Sequence, residues 1–239
     1  MTVPATTAPL TAESVQWTSD GVTIKGFLAR PAQAARPVPA ILIIHEWWGL
    51  TEHIKEIAQR FAREGFVALA PDLYSRLGFK VTKDAAEAAR LMDSLSSQLA
   101  LRDLNAAVQF LKMQPLVDSL FIGIVGFCMG GTLALTMAGH NSDLKAAVVF
   151  YGKVPPSESF RYLLCPVLFH HGAKDGWVTK QEVERLRQGL EQQGKPGEVV
   201  SYPEAEHAFF NDTRPEVYRK ADADEAWRRT LTFFAKHLR

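Results

Sequence analysis

Leu120-Phe121-Ile122-Gly123-Ile124-Val125-Gly126-Phe127-Cys128-Met129-Gly130-Gly131-Thr132-Leu133 is the stretch on which the fold turns. Leu120–Phe127 is a continuous apolar run, the mark of a strand buried on both faces. Gly130–His140 returns to helical spacing. Between them lies G-x-C-x-G, so the cysteine sits on a sharp strand-to-helix turn. The glycines have a steric task there, because neighbours of a strained residue must lack a Cβ for the backbone to fold tightly. With serine at its centre the same turn is a nucleophile elbow. Here sulfur replaces the hydroxyl, and the dipole of the following helix is expected to favour thiolate.

Outward from this turn the chain alternates strand and helix. Upstream, two short strands within 14–30 flank Asp20-Gly21, a hairpin signal. Ile41–Ile44 and Phe66–Ala70 are further buried strands around a helix over Thr51–Glu64 that Gly65 ends. Residues 84–113 carry one helical period. Downstream come strands at Ala146–Phe150 and Pro166–His170. A helix follows, opened by the capping box Thr179-x-x-Glu182 and ended by Gly194. A strand at Glu198–Tyr202 and a C-terminal helix with the stripe Trp227, Leu231, Phe234, Leu238 complete the chain. The pattern predicts an α/β fold with a mainly parallel central sheet, helices on both faces and an antiparallel hairpin at one edge. One domain over 13–239 follows a loose N-terminal tail over 1–12.

Composition narrows the function. The chain has 239 residues, a formal net charge of +1 and 47% apolar residues. That balance excludes disorder and argues against nucleic-acid binding, which favours a basic excess. No segment approaches a transmembrane length, and the N-terminus lacks a secretory pattern. The cytoplasm is the expected compartment, and a monomer or weak homodimer the expected state. Two cysteines, Cys128 and Cys165, are too few for a disulfide scaffold. Cys165 precedes its strand and is expected at the opposite end of the sheet from Cys128.

In such sheets chemistry collects at the carboxyl ends of the strands. Asp175 follows the Pro166–His170 strand and His207 follows Glu198–Tyr202, so both share a rim with Cys128. The order nucleophile, acid, His matches a triad in which His207 is the base and Asp175 orients its ring. His45-Glu46-Trp47-Trp48-Gly49 follows the Ile41–Ile44 strand. The backbone N–H groups of Trp47 and Met129 are candidates for an oxyanion hole. Glu46 stands close enough in this reading to hydrogen-bond Cys128 or take its proton, or else caps the next helix. His170-His171 and His45-Glu46 make poor chelates, since adjacent strand residues point to opposite faces. No metal and no nucleotide cofactor is implied.

These motifs, together with Ala70-Pro71-Asp72-Leu73-Tyr74 and His207-Ala208-Phe209, resemble the dienelactone hydrolase family of the α/β-hydrolase superfamily. The resemblance implies a Cys128–His207–Asp175 triad. It also implies a proton switch in which Glu46 meets the neutral thiol and takes its proton when a substrate carboxylate displaces it. Thiolate attack on an enol-lactone or small ester then gives a thioacyl-enzyme, as in the opening of dienelactone to maleylacetate. Family members bind the substrate carboxylate with arginines, and Arg76 matches one of them. The second would lie four residues after His207. That position is Asn211, with Arg214 three residues further, and Ala208 stands where a Ser is expected. Tyr74, Trp48 and Trp177 complete the expected substrate-binding set. The alternatives are a broader-specificity carboxylesterase, a non-catalytic binder of the same fold, or a redox-sensing thiol.

Overall fold

The computed structural model describes residues 9–239. Eight strands form one sheet in the order β1-β2-β4-β3-β5-β6-β7-β8. They are β1 (Leu10–Ser19), β2 (Val22–Pro31), β3 (Val38–Ile44), β4 (Val67–Pro71), β5 (Val117–Phe127), β6 (Leu144–Phe150), β7 (Val167–Gly172) and β8 (Gly197–Tyr202). β1 and β2 pair antiparallel, as do β2 and β4, and every other pair is parallel. The hairpin forms as expected at an edge. Its two-residue turn puts Asp20 at φ 53° and Gly21 at φ 75°, the twist that antiparallel strands accept. The expected tail is shorter than 1–12 within the described residues: Leu10, Thr11 and Ala12 pair with Pro31, Arg30 and Ala29. Residues 1–8 of it lie outside the described residues.

Among the described residues six α-helices cover the sheet: α1 (Glu52–Arg63), α2 (Ala85–Ser94), α3 (Ser97–Lys112), α4 (Met129–Met137), α5 (Lys180–Gln192) and α6 (Lys220–His237). The capping box of α5 forms, with Thr179 and Glu182 bonded reciprocally. The single helix expected over 84–113 is two. Asp84 caps α2, and Ser96 caps α3 by accepting from the N–H of Leu99. Leu95 is extended at the junction. A serine cluster offers the backbone an alternative to continued helix, and the apolar period alone does not register it.

Right-handed crossovers fix the layers. The chain leaves β3 through α1 for β4 on one side, then returns through α2 and α3 to β5 on the other. Thereafter it moves through α4 and α5 in the same direction. The reversal puts α1 on the opposite face from α3, α4 and α5. α6 joins α1, with Phe61, Trp227 and Phe234 packed ring to ring. β3 and β5 flank the point where the direction of winding reverses, the place where open α/β sheets bind ligands.

Candidate active site

Ile44 of β3 pairs with Gly126 of β5, so the residues two beyond this pair, Glu46 and Cys128, leave the sheet side by side. Cys128 has φ 55° and ψ −119°, a backbone state that an L-residue occupies only under constraint. Its N–H donates to the carbonyl of Phe150 at 3.0 Å. A Cβ on Gly126 would overlap the carbonyl of Gly130, and a Cβ on Gly130 would overlap the carbonyls of Ile44 and His45. The elbow therefore rests directly on the loop that carries Glu46.

The Cys128 side chain is enclosed, with 7% of the residue exposed. The backbone N–H groups of Met129 and Trp47 hydrogen-bond its sulfur. Burial pushes the thiol well above its ordinary range, and the charges of Glu46 and Asp175 push the same way against those two N–H groups. The dipole of α4 favours the thiolate, as expected of a helix N-terminus. Desolvation and a neighbouring carboxylate outweigh it and favour the neutral thiol. His207 is not among the described partners of that sulfur.

His207 and Asp175 form a tight pair. Nδ1 of His207 lies 2.8 Å from Oδ2 of Asp175. The other carboxylate oxygen accepts from the N–H groups of Trp177 at 2.7 Å and Val178 at 2.9 Å. Burial works to raise the acid, but the bond and charge of His207 and these amides hold it below the usual aspartate range. Beneath it, His171 is buried with Nε2 3.1 Å from the carbonyl of Val178, bracing the same loop. His170 points the other way, to Thr230 of α6 at 3.1 Å and to the Tyr202 hydroxyl at 3.0 Å. Both histidines are buried.

Glu46 is 3% exposed and held by neutral donors. Nδ2 of Asn211 donates to Oε2 at 2.7 Å, and the Tyr151 hydroxyl donates to Oε1 at 3.4 Å. Its carbonyl lies 2.5 Å from Nδ1 of His45, while Nε2 of that ring accepts from the N–H of Leu73 at 3.1 Å. The second bond requires the lone pair on Nε2, so the proton is on Nδ1 and donates to Glu46. Burial keeps His45 neutral, lowering it to about 4. Tyr151 also packs its ring 5.1 Å from His207, with φ 42°, and so touches both sides of the site.

Two of the expected substrate contacts have other tasks. Nε and Nη2 of Arg76 grip the carboxylate of Asp103 at 2.8 Å each, and Nη2 also reaches the carbonyl of Ser19 at 3.0 Å. This bidentate pair ties a buried α3 carboxylate to the end of β1. Cys128, Glu46 and His207 are not among its described contacts. Tyr74 is fully buried, and its hydroxyl donates to the carbonyl of Trp47 at 2.9 Å, so it holds the loop that presents the Trp47 N–H. Trp48 is half-buried, edge-on to Trp47, with the Arg214 guanidinium 5.7 Å from its ring. The charge of Arg214 reaches Tyr151, where it opposes the effect of burial. Trp177 stands edge-on to His207 at 5.0 Å. Sequence reasoning passed over Tyr151 and Lys153, although both follow a strand end, that of β6, like every other residue of the site.

Beside the elbow lies a cleft of about 210 Å³ lined by Met129, Thr132 and Leu133 of α4, Met92, Leu95 and Ser97 at the α2–α3 junction, Lys153 and Trp177. Among the described residues no group of three or more His, Cys, Asp or Glu side chains is placed to hold a metal ion.

Residues 24–238 match the model of the dienelactone hydrolase family. A Yersinia pestis protein provisionally named carboxymethylenebutenolidase is 34% identical over 233 residues, covering 92% of this chain and 86% of that protein. Protein usf of Aquifex pyrophilus is 35% identical over 234 residues, covering 95% and 99%. Among solved structures, a protein of Klebsiella pneumoniae provisionally assigned as a dienelactone hydrolase superposes with a TM-score of 0.90 at 32% identity, covering 96% and 100%. A metagenomic dienelactone hydrolase-like promiscuous phosphotriesterase superposes with a TM-score of 0.88 at 26% identity, covering 96% and 99%.

Proposed function

Because the chain belongs to the dienelactone hydrolase family, and so is a carboxylic ester or lactone hydrolase, we propose that it works through Cys128 and a thioacyl-enzyme. The observation that carries this reading is the convergence of two backbone N–H groups on a sulfur with a buried carboxylate beside it. Glu46 takes the S–H proton, leaving a carboxylic acid and a thiolate. The thiolate attacks the ester carbonyl, and the oxyanion that forms accepts from Met129 and Trp47 N–H. The carbon–oxygen bond to the alcohol breaks, and the alkoxide takes a proton back. His207, oriented by Asp175, then removes a proton from water as the water attacks the thioester. The acid leaves and the thiol is restored.

The substrate needs no carboxylate at the reacting end. Asn211 occupies the place of the expected arginine and is engaged with Glu46, and Arg76 is engaged with Asp103. A neutral amide cannot supply an arginine's charge or fork. Lactones and small esters with no carboxylate beside the reacting bond therefore fit best, which favours the broader carboxylesterase reading over one confined to carboxylated dienelactone. No described helix is long and apolar enough to cross a membrane.

The test is the covalent intermediate. His207→Ala mixed with p-nitrophenyl acetate should accumulate one acetyl group on Cys128, seen by intact mass and peptide mapping. Cys128→Ala should neither acylate nor turn over. Undiminished turnover by Cys128→Ala would overturn the assignment.

A further inference from the structure

The cleft beside the elbow shares two walls with the reacting centre. Met129 supplies one N–H to the Cys128 sulfur, and Trp177 packs on His207. A substrate whose carbonyl sits at Cys128 can extend one of its substituents into this space. The lining is apolar for the most part, with Met92, Leu95, Met129, Leu133 and the Trp177 ring. Its volume lies below the roughly 300–1,000 Å³ common for drug-sized ligands, so it suits a short chain rather than a large ring system. Lys153 is the one ionisable side chain in the lining.

The state of Lys153 is unusual for a cation at an apolar cleft. Its backbone N–H is fixed by the Thr132 hydroxyl at 2.8 Å, which pins the stem to α4. The ammonium lies 5.3 Å from the centre of the Trp177 ring. Its described anionic partner is Glu182, at a long 3.5 Å. Glu182 is already committed by the same oxygen to the N–H and hydroxyl of Thr179 at 2.9 and 3.0 Å. An ammonium has three donors, and one loose ion pair occupies only one of them.

We infer that this cleft is a binding subsite for a short apolar chain ending in a carboxylate, with Lys153 as its selecting residue; the inference rests on the hydrolase reading given above. It assigns the negative charge to the far end of the substrate, away from the bond that breaks. The contact of Lys153 with the carboxylate forms as the substrate binds, so its effect falls on kcat/KM for acidic substrates. Because Lys153 is 39% exposed, solvent screening keeps the expected preference modest, about fivefold.

Two matched pairs of substrates test it. p-Nitrophenyl hydrogen adipate against p-nitrophenyl hexanoate places the charge on the acyl side. 4-Acetoxybenzoate against phenyl acetate places it on the alcohol side. The readout is the ratio of kcat/KM, acidic over neutral, in wild type, Lys153→Met and Lys153→Arg, with melting temperatures taken alongside. In one of the two pairs the ratio should fall about fivefold in Lys153→Met, return in Lys153→Arg, and shrink in wild type at high salt. A ratio unchanged across the three proteins in both pairs overturns the subsite and leaves the hydrolase reading standing. Absence of turnover by wild type on all four esters overturns both.

Discussion

Replacing Glu46 by Gln should move two rates in opposite directions. Burial keeps the Cys128 thiol protonated, and the charge of Glu46 adds to that effect. A unit charge a few ångströms from a buried group is worth on the order of 3 kcal/mol at an effective dielectric constant near 20. Removing it multiplies the thiolate population by about a hundred, at 1.36 kcal/mol per factor of ten. A thiolate of lower basicity is also a weaker nucleophile, with a Brønsted slope of about 0.4–0.5, which returns roughly tenfold. The net expectation is alkylation by iodoacetamide at near-neutral pH about tenfold faster in Glu46→Gln than in wild type. Ester hydrolysis should fall by about 10²–10⁴, because the group that accepts the thiol proton is gone. Intact-mass time courses read the first rate and p-nitrophenyl acetate turnover the second. Cys165, buried and pushed up to about 12, serves as the unreactive reference in the same molecule. Alkylation that stays the same or slows in a variant of unchanged melting temperature would refute the electrostatic account.

Asn211→Leu removes a 2.7 Å bond to a buried carboxylate. It should cost about 2 kcal/mol, read as a lower urea midpoint, and should reduce turnover of neutral esters. Arg76→Ala leaves the carboxylate of Asp103 buried and unpaired, so a loss of about 3 kcal/mol is expected. The fractional change in kcat/KM should then be equal for carboxylated and neutral esters, whereas a selective loss on the carboxylated ones would return Arg76 to the substrate. Tyr74→Phe should lower kcat about three- to tenfold with little change in KM, because it loosens the Trp47 loop without touching the substrate. Stability should fall as pH drops from 6.5 toward 4. His45 and His170 are lowered from 6.5 to about 4 and about 3, so the unfolded chain takes up two protons there that the folded state refuses. Asp72, raised from 3.8 to about 6, binds its proton in the folded state over most of the same window and opposes them by one. The net slope is about 1.4 kcal/mol per pH unit, measured by urea titration, and Asp72→Asn should steepen it.

The frame of the site was readable because it is built from strand ends. A buried strand announces itself by an unbroken apolar run, and the residue just past it inherits a known place on the rim. Cys128, Asp175, His207 and Glu46 were placed on one rim in this way, with Trp47 and Met129 beside them. The features that escaped the same reasoning depend on where side chains go after leaving the rim. Arg76 has the right chain position, but Asp103, 27 residues away on α3, claims its guanidinium. Tyr74 is aromatic and near the site, yet its hydroxyl turns inward to a carbonyl. The helix dipole at Cys128 is visible in the motif, whereas the burial and the carboxylate from another strand that act against it are not. Tyr151 and Lys153 were within reach, since both come just after Phe150, where another unbroken apolar run ends.

Three non-glycine residues around the reacting centre keep positive φ: Cys128 at 55°, Tyr151 at 42° and Ala208 at 63°. Each such state costs on the order of 1–3 kcal/mol that the rest of the fold must offset. For the family's history this places the site under a standing tension. Substitution by glycine at any of the three would relax the backbone, so a lineage no longer selected for turnover would drift there first. A relative that keeps the sheet and all three triad residues but carries glycine in place of Tyr151 or Ala208 would have released that tension before any loss of its triad.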